Sequence, residues 1–483
     1  MAVMMASSLC AQIEDDLEKE FQSLNDSMML DFSDFFLRSA GDFMEFRRQA
    51  NEDFAGFLAQ LWDPEPTQPA IEPPVKPKPL KPLVTDASMS RPAAAMIPFE
   101  GRPVPPKPID RPQPMEPIRM QPREDAPLVS FHFFETPMSF HVDKTRRLKL
   151  KDATEQSVAE LWKQLSDPCY DNLIAECLQN SKRQNLCDWG YMLLTQQVAE
   201  EYCGAGTNEA VVMHMYLLVQ SGYQMRIGRA NDRLCLLFSA QSLIYRYKYF
   251  NLDGEYFYIY DKSLEGIPFH VFKHAFPREK SLSLALTQPK LNVVRTEERS
   301  FASKRWPEVK VTVGTNQNLI DFYNSYPLTS EWRNYSKASL SETLKESLYP
   351  ALKAALAEKT EVQAVNILLN FIQTGFGYQT DQQQFGYERP LFPDEVFFYP
   401  YCDCEDRSIL FSCLVRELLD LDVVLLDYPE HLATAVCFNE EVAGDYLMVE
   451  GKKYLVCDPT YVGAQIGRCM PQCKAMSFEV QRF

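Results

Sequence analysis

Tyr399-Pro400-Tyr401-Cys402-Asp403-Cys404-Glu405-Asp406-Arg407-Ser408 is the stretch on which the reading of this chain turns. It leads from a proline- and aromatic-rich loop (FGYERPLFPDEVFFYPY) into an apolar, helix-like run, RSILFSCLVRELL. Pro400 marks a boundary, and Asp403 is placed to cap a helix that starts near Glu405. Cys404 then falls in the first turn, facing the positive end of the helix dipole and its unpaired N–H groups. That environment favours a thiolate, and the same N–H groups can stabilise an oxyanion.

A thiol nucleophile needs a base, normally histidine, and the base needs a carboxylate or amide to orient it. The chain has six histidines, and only His431 follows His274. It opens an expected strand, HLATAV, while Asp458 closes another, KKYLVCD, which Pro459 terminates. Taken alone, the residues also allow a zinc site of Cys402, Cys404, His431 and Cys457, although Cys-x-Cys is not the commoner ligand spacing. Glu405 and Asp406 read as first-turn carboxylates that favour the dipole, and Tyr401 and Gln384 as secondary oxyanion candidates. Cys402 is expected to be structural or disulfide-bonded, and Cys469 and Cys473 either a small disulfide loop or free thiols.

A cysteine at a helix start followed by Glu-Asp, a histidine opening a strand, and Asp-Pro-Thr after an aromatic strand together resemble the transglutaminase-like superfamily. CDCEDRS is similar to the Gly-Asp-Cys-Glu-Asp-Tyr-Ala signature of bacterial transglutaminase-like cysteine peptidases, with Cys402 in the Gly position and Arg407-Ser408 in place of Tyr-Ala. HLATAV is similar to the histidine strand of that group, and CDPTY to the Asp-Pro-Thr of the wider family. The resemblance covers about a quarter of the chain. It implies a catalytic triad of Cys404 as nucleophile, His431 as base and acid, and Asp458 as orienter. It also implies an α+β, papain-like core, a thioester intermediate on peptide or protein amides, and neither cofactor nor metal. Hydrolysis and transfer to an amine both stay open, as does a catalytically inactive scaffold or binding protein.

A second segment follows the same plan. Asn208-Glu209 precedes the apolar run AVVMHMYLLVQSGY, then come the strands RLCLLF and EYFYIYD, as Cys404-Glu405 precedes RSILFSCLVRELL, HLATAV and KKYLVCD. Asn208, Arg233 and Asp261 lie 25 and 28 residues apart, against 27 and 27 for Cys404, His431 and Asp458. The expectation is a duplicated core whose first copy has lost nucleophile and base; a chance likeness of two α/β segments is the alternative.

The rest of the chain sets limits. Its 483 residues suit two or three domains. We expect a helical segment over 14–63, a proline-rich linker over 64–127, a degenerate module over 128–290, connecting strands and helix over 291–350, and the catalytic domain over 351–483. Residues 1–13 read as a truncated export signal, which suggests an extracytoplasmic protein, or as an ordinary N-terminus of a cytoplasmic one. Phe32, Phe36, Phe43, Phe46, Phe54, Phe57 and Leu61 define one apolar helix face that packs on the body or docks a helical partner. The segment from Pro64 to Pro127 holds 19 of 33 prolines, so it is expected to form neither helix nor sheet. The net charge of −17 argues against nucleic-acid partners, and no apolar run is long enough to span a membrane.

Overall fold

A computed structural model describes residues 43–73, 112–115, 118 and 128–482, apart from Lys144, Glu265, Gly266 and Ser330. The expected export signal, Phe32, Phe36 and most of the proline-rich stretch lie outside these residues. The fold is α+β. In chain order the elements begin with helix α1 (43–58), β1 (Asp63–Glu65), β2 (Leu128–Phe133), β3 (Thr136–His141), α2 (Glu155–Leu165), α3 (Asp171–Arg183), α4 (Asp188–Cys203) and α5 (Asn208–Gln220). A run of strands follows: β4 (Met225–Ala230), β5 (Arg233–Ser239), β6 (Tyr249–Leu252), β7 (Glu255–Ile259) and β8 (Phe269–Phe272). Next come β9 (Arg299–Ala302), β10 (Lys310–Val313), α6 (Gln317–Ser325), α7 (Trp332–Ser336), α8 (Glu342–Leu356), α9 (Glu361–Gly375), β11 (Gly377–Tyr378), α10 (Asp381–Gln384), α11 (Pro393–Phe398) and β12 (Tyr401–Cys402). The chain closes with α12 (Cys404–Leu419), β13 (Val423–Tyr428), β14 (His431–Cys437), β15 (Tyr446–Val449), β16 (Lys452–Cys457) and β17 (Glu479–Gln481).

Two sheets dominate. The first has the order β1-β8-β4-β5-β7-β6 and the second β15-β16-β14-β13-β17. Read from the other side, the second order is β17-β13-β14-β16-β15, the sequence in which β8-β4-β5-β7-β6 occur in the first. Every pairing in both is antiparallel. Turn chemistry fixes the registers. Asp253-Gly254 and Glu450-Gly451 join β6–β7 and β15–β16, all four residues having positive φ as two-residue hairpin loops require. Each sheet is covered on both faces. In the second, Val423, Val436 and Leu455 face the helices, while Val424, Ala435 and Val456 belong to the core on the opposite side. This is the period of two that lets one strand serve two cores. The connecting region divides between the cores: β9–β10 places Phe301, Val311 and Val313 in the second, and α6 gives Leu319, Ile320 and Phe322 to the first.

Two expectations need correction. The buried face of α1 carries Ala50, Asn51, Phe54, Ala55 and Leu58, whereas Phe43, Phe46, Phe57 and Leu61 are exposed. Polar side chains decide this. Arg47 pairs with Asp171 at 2.7 Å, and Asn51 accepts from Trp162 Nε1 and from Gln220 Nε2. Fixing these polar groups turns the aromatic stripe outward, except for Phe54. The proline-rich stretch also contributes to the sheet. Asp63–Glu65 pairs with β8, Gln68 N–H donates to the Tyr249 carbonyl of β6, and Arg246 N–H to that of Ile71. Further on, a Cβ at Gly222 would fall 2.0 Å from the Gln113 carbonyl oxygen, so only glycine lets that strand of prolines lie against the body.

The two faces of α1 differ measurably. Phe54→Ala should destabilise the chain by about 3–5 kcal/mol through the cavity it leaves. Phe43→Ala should change stability by less than about 0.5 kcal/mol. Equal effects in denaturant unfolding would mean that α1 docks by its aromatic stripe.

Candidate active site

Cys404 is the first residue of α12, His431 the first of β14, and Asp458 directly follows β16. All three are enclosed, at 2%, 1% and 3% exposure. A two-residue turn, Pro429-Glu430, pairs Tyr428 with His431 and so starts β14 at the histidine. On its other side β14 runs antiparallel to β16, with Thr434 opposite Cys457. One further step sets Asp458 opposite Ala433, whose side chain shares a face with that of His431. The result is a hydrogen bond of 2.9 Å between His431 Nε2 and Asp458 Oδ2. The other carboxylate oxygen accepts from the N–H groups of Thr460 and Tyr461. Gln373, on α9, holds that loop from outside: its Nε2 donates to the carbonyls of Asp458, Tyr461 and Ala464. Nothing in the sequence marks this glutamine, which is one of several polar residues on α9, among them Gln363, Asn366 and Asn370.

His431 Nδ1 is buried with no hydrogen-bond partner. One turn beyond Cys404, Ser408 Oγ donates to the Leu432 carbonyl at 2.8 Å, which ties the start of α12 to the residue after His431. The thiol itself has a partner that the sequence reading left aside: Cys404 Sγ lies 2.9 Å from Glu405 Oε2 and donates to it. Asp403 is the N-cap residue of α12, as expected, and forms a capping box with Asp406, although its Oδ1 is buried without a hydrogen-bond partner. Asp406 closes the box, accepting from the N–H groups of Asp403 and Leu391.

These carboxylates form one enclosed acidic group with Asp381, which accepts from Arg389 N–H. Asp381, Asp403 and Asp406 bring one oxygen each within 4.8 Å of one another, as Asp403, Cys404 and Glu405 bring a ligand atom each. Such sets can hold a hard cation or share protons. Desolvation and then the Asp406 and Glu405 charges push the Asp381 pKa to about 10; desolvation and then Glu405 push Asp406 to about 7. Asp403 is raised for the same reasons, desolvation first. The alternative zinc set is not assembled: among the described residues no metal-ligating group contains Cys402, His431 or Cys457. All the described cysteines are free, so Cys402, Cys469 and Cys473 form no disulfide. Gln384 spends both ends of its amide on the Tyr401 backbone, fixing the strand before Cys404.

The corresponding positions of the first sheet repeat the layout with different chemistry. Asn208 begins α5, and Arg233 begins β5 after the two-residue turn Asn231-Asp232. Asp261 lies two residues past β7. Extending the Leu237–Ile259 register sets it opposite Cys235, the same offset from Arg233 as Ala433 has from His431. The ion pair Arg233–Asp261, at 2.7 Å, stands where His431–Asp458 stands in the second sheet. Asn208 starts α5 as Cys404 starts α12, with Nδ2 donating to the Asp232 carbonyl and Oδ1 accepting from Leu234 N–H. It thereby clamps the helix start to the backbone on both sides of Arg233. No protein-family model matches the chain, and neither a curated protein nor a solved structure is significantly similar to it.

Between the ordinary carboxylate range and the raised values, native Asp406 and Asp381 keep protons that the unfolded chain has released. Stability should therefore fall as pH rises from about 4 towards 7 and, through Asp381, on towards 10, by up to about 1.4 kcal/mol per pH unit per group. Thermal unfolding in chelator-treated buffer should show this decline, and Asp381→Asn should make it shallower. An unchanged slope in that variant would show that Asp381 is ionised in the native state.

Proposed function

We propose that the chain carries two copies of one transglutaminase-type module and that the second is a thiol-dependent acyl-transfer enzyme. The observation that carries this reading is the buried His431–Asp458 pair, its remaining ring nitrogen unpartnered, beside a helix that begins at Cys404. The position of Asn208 in the first sheet supports the juxtaposition, since it reaches the backbone flanking Arg233.

In this reading His431 Nδ1 takes the Cys404 proton, and the sulfur attacks the carbonyl carbon of a peptide or protein amide. The tetrahedral oxyanion is met by N–H groups at the start of α12. The C–N bond breaks as the imidazolium gives its proton to the leaving amine, which leaves a thioester on Cys404. Water, deprotonated by His431, then releases the acid and regenerates the thiol; an amine in its place gives a cross-link. Asp458 keeps the proton on Nε2 and stabilises the imidazolium. Hydrolysis is the favoured second step. In the resting site Glu405 competes for the thiol proton, and an ionised carboxylate at that distance opposes a thiolate. Activation therefore requires the acidic group to be neutralised, by protons or by a cation.

Enclosure of all three side chains and the thiol–carboxylate contact favour a second reading, in which both modules are inactive binding surfaces of an extracytoplasmic assembly. Alkylation separates the two. Under the enzymatic reading iodoacetamide modifies Cys404 ahead of the other thiols, with a pH midpoint below the roughly 8.5 of a free cysteine. His431→Ala raises that midpoint and lowers amide turnover by about 10³-fold or more. Asp458→Ala reduces turnover with less effect on alkylation, and Glu405→Gln speeds alkylation. Uniform labelling of all cysteines, with the same profile in His431→Ala, would select the binding reading.

A further inference from the structure

A cavity of about 500 Å³ lies between the first sheet and the segment leading to α11. Its wall combines Tyr245, Arg246, Tyr247 and Lys262 with Tyr387 and Arg389 from the other side. Three cations on one cavity are unusual in a chain of net charge −17. All three rest on aromatic rings, Arg389 on those of Phe385 and Tyr399. The Lys262 ammonium is 3.8 Å from the centre of the Tyr247 ring, and the Arg246 guanidinium 4.1 Å from that of Tyr387. Lys262 forms no salt bridge among the described residues, and Arg246 reaches only the exposed Glu72, at 3.9 Å. Desolvation and then the Arg246 charge lower the Lys262 pKa, so the two cations repel one another. Arg389 is buried and bonded to Glu395 and Asn324 through Nη2, while its Nη1 has no hydrogen-bond partner.

The backbone holds this arrangement at a cost. Arg246 has φ of +62°, the left-handed region that side chains other than Gly, Asn and Asp rarely adopt. Its N–H donates to the Ile71 carbonyl, which holds the backbone there, and the guanidinium lies over Tyr387. The cavity wall also carries Glu72 and Glu395, but Glu395 is taken by Arg389 and Glu72 stands exposed at 3.9 Å from Arg246, so Arg246 and Lys262 leave positive charge that a bound oxyanion would balance. We propose that this cavity binds a small organic oxyanion, a carboxylate or a phosphate, between Arg246 and Lys262, with Tyr247 and Tyr387 flanking its body. The volume suits a ligand of metabolite or dipeptide size. The site is separate from Cys404 and His431, neither of which lines the cavity.

The test uses the full chain at low ionic strength, with chelator present throughout. Thermal unfolding is followed against succinate and against inorganic phosphate, with sodium chloride at matched ionic strength as reference. The expected result is a saturable rise in Tm with at least one oxyanion and none of that size with chloride. Lys262→Met and Arg246→Gln should each weaken the apparent affinity about tenfold or more, as loss of a charge-assisted contact does. Cys404→Ala should bind as the parent does, so the outcome is independent of catalysis. Saturation by succinate alone assigns a carboxylate ligand and by phosphate alone a phosphate; either supports the site. A rise that chloride reproduces, or that persists unchanged in Lys262→Met, overturns it. If Arg246→Gln does not fold, Lys262→Met, at a residue outside every strand and salt bridge of the described residues, decides the question.

Discussion

The antiparallel register of β14 on β16 is the constraint from which the candidate site follows. With Thr434 opposite Cys457, the start of one strand and the end of the other meet at a single point of the sheet. A slip of one residue would turn His431 to the opposite face and break its bond to Asp458. The register is held by cores on both faces of the sheet, and the Asp458 loop is locked from outside by Gln373. The precision of a hydrogen bond between two side chains 27 residues apart is thus set by packing some distance away.

Burial gives the site its chemical character. A helix N-terminus and an imidazole would ordinarily favour a thiolate. Here four acidic side chains lie inside the same enclosure, and one of them accepts the thiol proton directly. Desolvation makes Asp381, Asp403 and Asp406 costly to ionise, so these three hold protons above the usual range. Protonation of this group and reactivity of the sulfur are therefore one question. The first sheet has no such tension. Arg233 and Asp261 satisfy one another in partial contact with solvent, and Asn208 needs no ionisation to close its contacts.

The three residues of the candidate triad were legible because prolines mark the boundaries at which they sit. Pro400 precedes α12, Pro429 forms the turn before β14, and Pro459 ends β16. The placement of Asn208 at a helix start and of Arg233 at a strand start was legible too, while Asp261 lies two residues past its strand rather than at its end. Contacts that depend on side-chain direction were not legible. Glu405 read as a dipole carboxylate because spacing cannot show it turning to the neighbouring sulfur. Asp381, more than twenty residues upstream of Cys404, enters the acidic group only through the loop that folds Arg389 and Leu391 onto it and onto Asp406. Aromatic periodicity points to the wrong face of α1 because Arg47 and Asn51 orient the helix through buried partners more than a hundred residues away.

The segment Asp63–Ile71 touches the first sheet at both of its sides, pairing with β8 through β1 and with β6 through Gln68. It works as a clasp that draws an open sheet toward closure, and the prolines within it suit that role because Pro64 has no N–H to offer a further strand. The second sheet ends instead in β15 and β17. The two halves of the molecule therefore differ in how they can meet another extended chain. Among the described residues the rims of the first sheet are met by this segment and those of the second are not, and Met448 on β15 stands exposed.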